Sequence, residues 1–163
     1  MSKKVMVGMS GGIDSSVTAY MLQKEGYEVE GIYLKLHNRT DGYHERNLGY
    51  IEDVAKFLNI KYHILDLANE FSKEVYDYFV DSYLTGTTPN PCVKCNKQIK
   101  FGSMLKFAQE HGADFLATGH YAKTDGEFFY EADDKTKDQS YFLSQVDKEA
   151  LKYMMFPLST YKK

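Results

Sequence analysis

The chain has 163 residues, enough for one domain of ordinary size. With 43% hydrophobic and 26% charged residues and only 3 prolines, its composition is that of a globular protein. No stretch nears the ~20 apolar residues that a membrane span requires, so no membrane partner is expected. A formal net charge of −3 and a pI of about 5.9 exclude a protein that is basic throughout and leave only a local basic face for nucleic acid. The opening Met-Ser-Lys-Lys-Val-Met-Val lacks the apolar core and cleavage site of a secretory leader, and cytoplasm is the expected compartment.

Lys4 to Met9 is a short apolar run and reads as a buried parallel strand. After the glycines, a helix is predicted over Ser15 to Glu25, with Val17, Tyr20 and Met21 on one face and Gly26 as its C-terminal cap. Glu28 to Leu34 reads as a second strand, and polar Asn38 to Asn47 as a flexible loop. Ile51, Val54, Ala55 and Leu58 sit at helical spacing before a third strand, Lys61 to Asp66. Phe71, Val75, Tyr78 and Phe79 mark another helix; Thr85 to Asn96, with two prolines and both cysteines, reads as irregular. Phe101, Met104, Leu105 and Ala108 mark a further helix, and Ala113 to Thr118 the last clear strand. Thr124 to Asp138 is charged, with a turn at Asp125-Gly126 between short strands.

Strands alternating with helices predict an α/β fold: a parallel sheet with helices on both faces, joined by right-handed crossovers. Ligands of such sheets bind beyond the carboxyl ends of the strands. Ser10–Ser16, Leu34–His37, Asp66 and Thr118–His120 lie at those ends and are expected to converge on one crevice.

The loop Ser10-Gly11-Gly12-Ile13-Asp14-Ser15-Ser16 follows the first strand directly. Backbone N–H groups in such a turn point together at an anion, and the next helix adds its positive N-terminus. Gly11 and Gly12 keep Cβ atoms out of the way, while Ser10, Ser15 and Ser16 bring hydroxyls. Asp14 repels phosphate, so it is expected either to cap the helix or to hold a Mg²⁺ that bridges the phosphates.

Cys92 and Cys95 are the only cysteines, and in a cytosolic setting the pair points to redox chemistry, catalysis or half a metal site. Near a helix start, with Lys94 and Lys97 beside it, Cys95 is expected to have a lowered pKa and to act as a nucleophile. The alternative is a buried structural pair. Ser82 to Gln109 carries no acidic residue and holds Lys94, Lys97, Lys100 and Lys106, a candidate basic patch.

The glycine loop contains no Walker motif. It resembles the pyrophosphate (PP) loop of the ATP pyrophosphatase superfamily, whose members cleave ATP between the α and β phosphates. Three further segments narrow the resemblance: Thr87 to Phe101 with Pro89-Asn90-Pro91-Cys92, Ala117-Thr118-Gly119-His120-Tyr121-Ala122, and Lys137-Asp138-Gln139-Ser140-Tyr141-Phe142-Leu143. Together they resemble the tRNA-specific 2-thiouridylase family over essentially the whole chain. That resemblance implies a Rossmann-like adenine nucleotide alpha hydrolase fold and ATP-dependent 2-thiolation of the wobble uridine in tRNA. The 2-position oxygen is adenylated, and the sulfur of a cysteine persulfide replaces it.

By matching position, the resemblance implies that Gly8, Met9, Ser10, Gly11, Gly12, Ile13, Asp14, Ser15 and Ser16 hold the nucleotide, with Mg²⁺ at Asp14. It puts Leu34 in the adenine pocket and Gly119 against the nucleotide. Asn90, Pro91 and Cys92 would surround the flipped uridine. His120, Lys137, Asp138 and Gln139 would meet tRNA, and Cys95 would be the catalytic cysteine. The implied partners are tRNA and a sulfur-relay or cysteine desulfurase donor protein. Residues 1–163 would then be a truncated PP-loop domain, without the β-rich C-terminal domains and the second cysteine of the family. Cys92 stands where many relatives have aspartate. With Cys95 it could supply part of an iron–sulfur site, or close a helix-terminal Cys-x-x-Cys disulfide. The rival expectations are another adenylating or thiolating PP-loop enzyme, a nucleotide- or tRNA-binding module without full activity, and a metal protein centred on the two cysteines.

Overall fold

The computed structural model describes residues 2–163. Its strands are β1 (Lys4–Met9), β2 (Glu28–Lys35), β3 (Lys61–Asp66), β4 (Phe115–Ala117), β5 (Lys123–Thr124), β6 (Phe129–Tyr130) and β7 (Met154–Met155). Five of them form one parallel sheet in the order β3-β2-β1-β4-β7, while β5 and β6 pair as a separate antiparallel hairpin. Val7 pairs with Gly31 on one side and with Ala117 on the other, so β1 is the central strand. The chain leaves β1 toward β2 and later crosses back to β4, which makes the β1–β4 boundary the point where a crevice opens.

The helices are α1 (Ile13–Lys24), α2 (Tyr43–Leu58), α3 (residues 68–84), α4 (residues 91–110) and α5 (Lys148–Leu151). Wide turns over Ser72–Tyr76 and Asn96–Met104 interrupt α3 and α4. Two cores flank the sheet, which is why β1 is apolar on both faces. Val5, Val7 and Met9 pack with Ala19 and Leu22 of α1 and with Ile51 and Leu58 of α2. Met6 and Ile32 face the other way, onto Phe101, Met104 and Leu105 of α4 and Leu151 of α5. No helix among the described residues is long and apolar enough to cross a membrane.

The strands follow the expected plan, with β2 one residue longer than predicted and β4 shorter. Four differences have physical causes. First, α1 begins at Ile13 and buries Ser15, Thr18, Ala19 and Leu22, leaving Val17 and Tyr20 largely exposed. Small residues let the helix lie close on β1, and Met21 turns aside to pack with Tyr121 and Leu158. Second, α2 starts at Tyr43, inside the predicted loop, because His44 is buried there against Tyr33. Third, α4 starts at Pro91, inside the segment read as irregular; Pro91 takes the first helical position, where no N–H is needed, and the Asn90 carboxamide accepts the Val93 N–H at 3.2 Å. Fourth, β7 and α5 are too short, at two and four residues, to show a period.

Leu22 is fully buried whereas Phe57 is 81% exposed. Leu22→Ala is expected to destabilise the fold by about 2–5 kcal/mol and Phe57→Ala by under about 1 kcal/mol, as read by urea unfolding.

Candidate functional site

The N-terminus of α1 has the donors an anion needs. Gly12 is the N-cap and offers no side chain, so the first free N–H groups are those of Ile13, Asp14 and Ser15; the Ser16 N–H already bonds the Gly12 carbonyl at 3.3 Å. The serine hydroxyls divide their work. Ser15 Oγ donates to the Gly12 carbonyl at 3.1 Å and accepts the Ser10 N–H at 3.3 Å, and Ser16 Oγ donates to the same carbonyl at 2.9 Å. These two shape the loop, whereas Ser10 Oγ accepts the Gly12 N–H at 3.4 Å and keeps its own proton free. Asp14 is not the cap. Its carboxylate pairs with Lys163 Nζ at 2.7 Å, 149 residues away, which places a cation beside the loop that no local pattern indicates.

Gly11 has φ +83°, a left-handed conformation that favours glycine. Gly119 is glycine for a different reason. A Cβ there would meet the Asp14 carbonyl carbon at 3.1 Å and the Ser15 nitrogen at 3.2 Å, so its bareness lets the end of β4 lie directly on the start of α1.

Between these elements lies a cleft of about 430 Å³, whose lining includes Gly8, Met9, Ser10, Asp14, Ser15 and Gly119 together with the apolar Leu34, Leu36, Phe71 and Met104. The lining thus combines N–H donors, a hydroxyl and a carboxylate with apolar side chains. The Ile13 side chain is 78% exposed and points elsewhere, so this residue can contribute only its backbone. Gly11, Gly12 and Ser16 likewise shape the loop without lining the cleft.

Histidines that carry no local spacing signal complete the wall. His44 Nε2 lies 2.7 Å from the His37 carbonyl and its Nδ1 lies 2.7 Å from the Tyr33 hydroxyl. A carbonyl only accepts, so Nε2 carries the proton and the Tyr33 O–H donates to Nδ1. The relay ties the segment after β2 to α2, and Tyr33, His37 and His44 all line the cleft. Burial, then the neighbouring His44, pushes the His37 pKa down.

His120 closes the opposite side. It is buried, with Nδ1 2.7 Å from Thr118 Oγ1, between Phe101 and Phe156. Burial first, and then the Lys100 ammonium, holds its pKa down to about 3, so the ring is neutral at physiological pH. His120 is thus enclosed in the cleft wall.

Lys100 is the lysine of the acid-free run that reaches the cleft. Lys94 lies over the Tyr78 ring, Lys97 pairs with Asp147 and Lys106 with Glu110, so the expected patch is dispersed. Cys95 precedes Lys100 by five residues on α4; Lys100 lines the cleft, whereas Cys95 does not. The turn carrying Cys95 is fastened by Asn96, whose Nδ2 donates to the Phe142 carbonyl at 3.0 Å, while Asn96 Oδ1 is buried without a partner.

The expected lowering of the Cys95 pKa is not found. Cys95 is the fifth residue of α4, beyond the first turn, and burial pushes its thiol up more strongly than Lys100 pulls it down. Cys92, in the first turn, is exposed, and both thiols are free. No cluster of three or more His, Cys, Asp or Glu side chains suited to a metal occurs among the described residues. Two thiols alone do not meet the donor set of an iron–sulfur cluster.

The 137–139 segment splits by role. Gln139 lines the cleft, and its Oε1 accepts the Tyr121 N–H at 3.1 Å. Asp138 is internal bracing: its carboxylate accepts the Ala132 N–H at 2.7 Å and the Ser140 hydroxyl at 2.7 Å. Lys137 is exposed.

The family model for the tRNA methyl transferase HUP domain matches residues 3–163. The chain is 91% identical over 161 residues to the tRNA-specific 2-thiouridylase MnmA 1 of Aliarcobacter butzleri, covering 99% of this chain and 47% of that protein. It is 59% identical over 163 residues to the tRNA-specific 2-thiouridylase MnmA of Sulfurimonas denitrificans, covering 100% of this chain and 48% of that one. The chain therefore spans about half the length of these curated relatives. Among solved structures, a 4-thiouridine synthetase in complex with RNA and bound ATP superposes with a TM-score of 0.63 at 20% identity, over 98% of this chain and 37% of that one, a likeness of fold.

The His120 shift has a sign that can be checked. Unfolding returns the ring toward its ordinary value of 6.5 from about 3, so as pH falls the unfolded chain takes up the proton first. The associated stability is whole above pH 6.5 and is lost toward pH 3, at up to about 1.4 kcal/mol per pH unit. Between pH 6.5 and 5, before most carboxylates titrate, unfolding free energies of His120→Gln should fall less steeply than those of the unsubstituted chain.

Proposed function

Since the chain belongs to the tRNA methyl transferase HUP domain family, and curated relatives that share its sequence throughout are tRNA-specific 2-thiouridylases, we propose that it is the nucleotide-binding half of an enzyme that thiolates the 2-position of the wobble uridine in tRNA at the expense of ATP. What supports this reading is a helix start with free N–H donors opening into a cleft, and Cys95 on the same helix as Lys100, which lines that cleft.

On this reading the free N–H groups of Ile13, Asp14 and Ser15 and the Ser10 hydroxyl receive the phosphates, and Leu34, Leu36, Phe71 and Met104 receive adenine. Lys163 and Lys100 offset the phosphate charge from two sides. Orientation of the triphosphate, with the uridine held near Asn90, Pro91 and Cys92, brings the 2-position oxygen to the α-phosphorus, and pyrophosphate leaves. Persulfide sulfur on Cys95 then attacks carbon 2 and AMP departs. The raised thiol pKa fits this division of labour, because a persulfide is more acidic than its parent thiol and stays a nucleophile where the thiol would not. Neutral His120 adds no charge to the cleft and keeps its other nitrogen for hydrogen bonding.

Mg²⁺ fits the site through Asp14, since this ion takes one or two carboxylates and completes its shell with phosphates and water. Bound there, it would draw charge from the phosphates, and Lys163 would yield the carboxylate to it. An iron–sulfur cluster does not fit the two-thiol donor set, and no step uses one. The sulfur reaches Cys95 from a sulfur-relay or cysteine desulfurase protein, and residues 1–163 constitute the PP-loop domain of the longer protein, acting in the cytoplasm.

A second reading is favoured by the half-length match: a nucleotide-binding module whose turnover requires the remainder of the longer protein. The test is thiouridine formation and nucleotide affinity measured side by side. Cys95→Ala should abolish thiolation and leave ATP affinity unchanged; loss of both would make the residue structural. Asp14→Asn should weaken Mg²⁺-dependent ATP affinity by about tenfold, near 1.4 kcal/mol, while Mg²⁺-free binding changes less. ATP binding without thiolation, even with sulfur donor and tRNA present, would favour the module.

A further inference from the structure

The ring of His37, just beyond β2, is fixed by its neighbours. His37 Nδ1 lies 3.4 Å from the Arg39 backbone nitrogen and 3.1 Å from His44 Nε2. A backbone N–H only donates, and His44 Nε2 carries the proton that it also gives to the His37 carbonyl, so His37 Nδ1 is an acceptor. The ring centroid stands 4.4 Å from that of His44 and 4.9 Å from that of Tyr43. His37 is neutral at physiological pH, since burial and then His44 hold its pKa below the ordinary 6.5. A neutral imidazole that accepts at Nδ1 has its one proton on Nε2. That N–H bonds no described residue, and it is not shut away: Asn96 Oδ1 is the one buried side-chain nitrogen or oxygen left unpaired among the described residues. The bonds that start at the Tyr33 hydroxyl and pass through His44 thus end, on a residue that lines the cleft, in one unspent donor of fixed tautomer.

We propose that His37 Nε2–H donates to a ring nitrogen of adenine, which makes His37 a specificity-determining residue of the nucleotide site. The inference rests on the nucleotide reading above and adds how the base is told from others. Two observations favour the base over the phosphates as the acceptor. The donor is neutral, whereas a phosphate is better met by a charged one. It also follows directly on Leu34 and Leu36, the apolar part of the lining, while the free N–H groups of Ile13, Asp14 and Ser15 belong to the start of α1. A ring nitrogen with a lone pair completes the relay. A base with C–H or N–H at that place leaves the His37 proton without a partner and loses affinity.

The test is affinity, by titration calorimetry, for ATP, for its 1-deaza, 3-deaza and 7-deaza analogues, and for tripolyphosphate. The unsubstituted protein should bind one of the deaza analogues about tenfold more weakly than ATP. His37→Asn keeps an amide oxygen near the place of Nδ1, for His44 and Arg39, and removes the donor. It should bind ATP about tenfold more weakly, cease to distinguish ATP from that analogue, and bind tripolyphosphate as before. His37→Gln, whose amide nitrogen reaches the place of Nε2, should recover most of the ATP affinity. Three results would overturn the assignment: full ATP affinity in His37→Asn, no analogue disfavoured by the unsubstituted protein, or an equal loss for ATP and tripolyphosphate, which marks a structural role. An unsubstituted protein that binds neither ATP nor tripolyphosphate would remove the nucleotide reading, and this inference with it.

Discussion

The contact on which the rest of the site depends is the approach of Gly119 to the backbone of Asp14 and Ser15. A Cβ at residue 119 would sit 3.1–3.2 Å from two atoms of that backbone and from the Asp14 Cβ, closer than neighbouring atoms tolerate without moving. Through this contact the end of β4 rests on the first turn of α1, and the two sides of the crevice acquire a fixed separation. The anion-binding N–H groups, the Thr118–His120 pair and the carboxylate of Asp14 are thus held by one junction at the β1–β4 boundary. The strand order supplies the crevice; the missing side chain lets its walls meet.

Electrostatically the cleft is sparing. His120 is held neutral by burial, and His44 carries a defined tautomer set by Tyr33 and the His37 carbonyl. Charge enters through Asp14, Lys163 and Lys100. The pairing of Asp14 with Lys163 resolves the difficulty of a carboxylate inside a phosphate loop. It is neutralised as it stands by the Lys163 ammonium.

Much of this architecture is legible in the residues because it is local. The apolar β1 run, the glycine loop behind it and the strand ends at Leu34 and Thr118 all announce themselves by composition and order. What escapes reading is what depends on distant partners or on size. The buried face of α1 is Ser15, Thr18, Ala19 and Leu22, chosen for smallness under close packing, so a count of hydrophobic residues favours Val17 and Tyr20 wrongly. His37 stands at a strand end and is placed by that rule, but nothing near His44 announces its bond to Tyr33. Lys163 and Asp14 meet across 149 positions. The Cys95 thiol departs from expectation for a related reason: helix position and neighbouring lysines are visible in sequence, whereas burial, which dominates, is not.

The proposed function stands on the glycine loop and Cys95 serving a single cleft. Its most direct test is affinity labelling with adenosine carrying a bromoacetamide at the 5′ position, which sets an alkylating carbon near the place of the α-phosphate. Peptide mapping should find the label on Cys95, with labelling suppressed by excess ATP. Saturating reagent that leaves Cys95 unmodified, or reacts with Cys92 alone regardless of ATP, would contradict the claim.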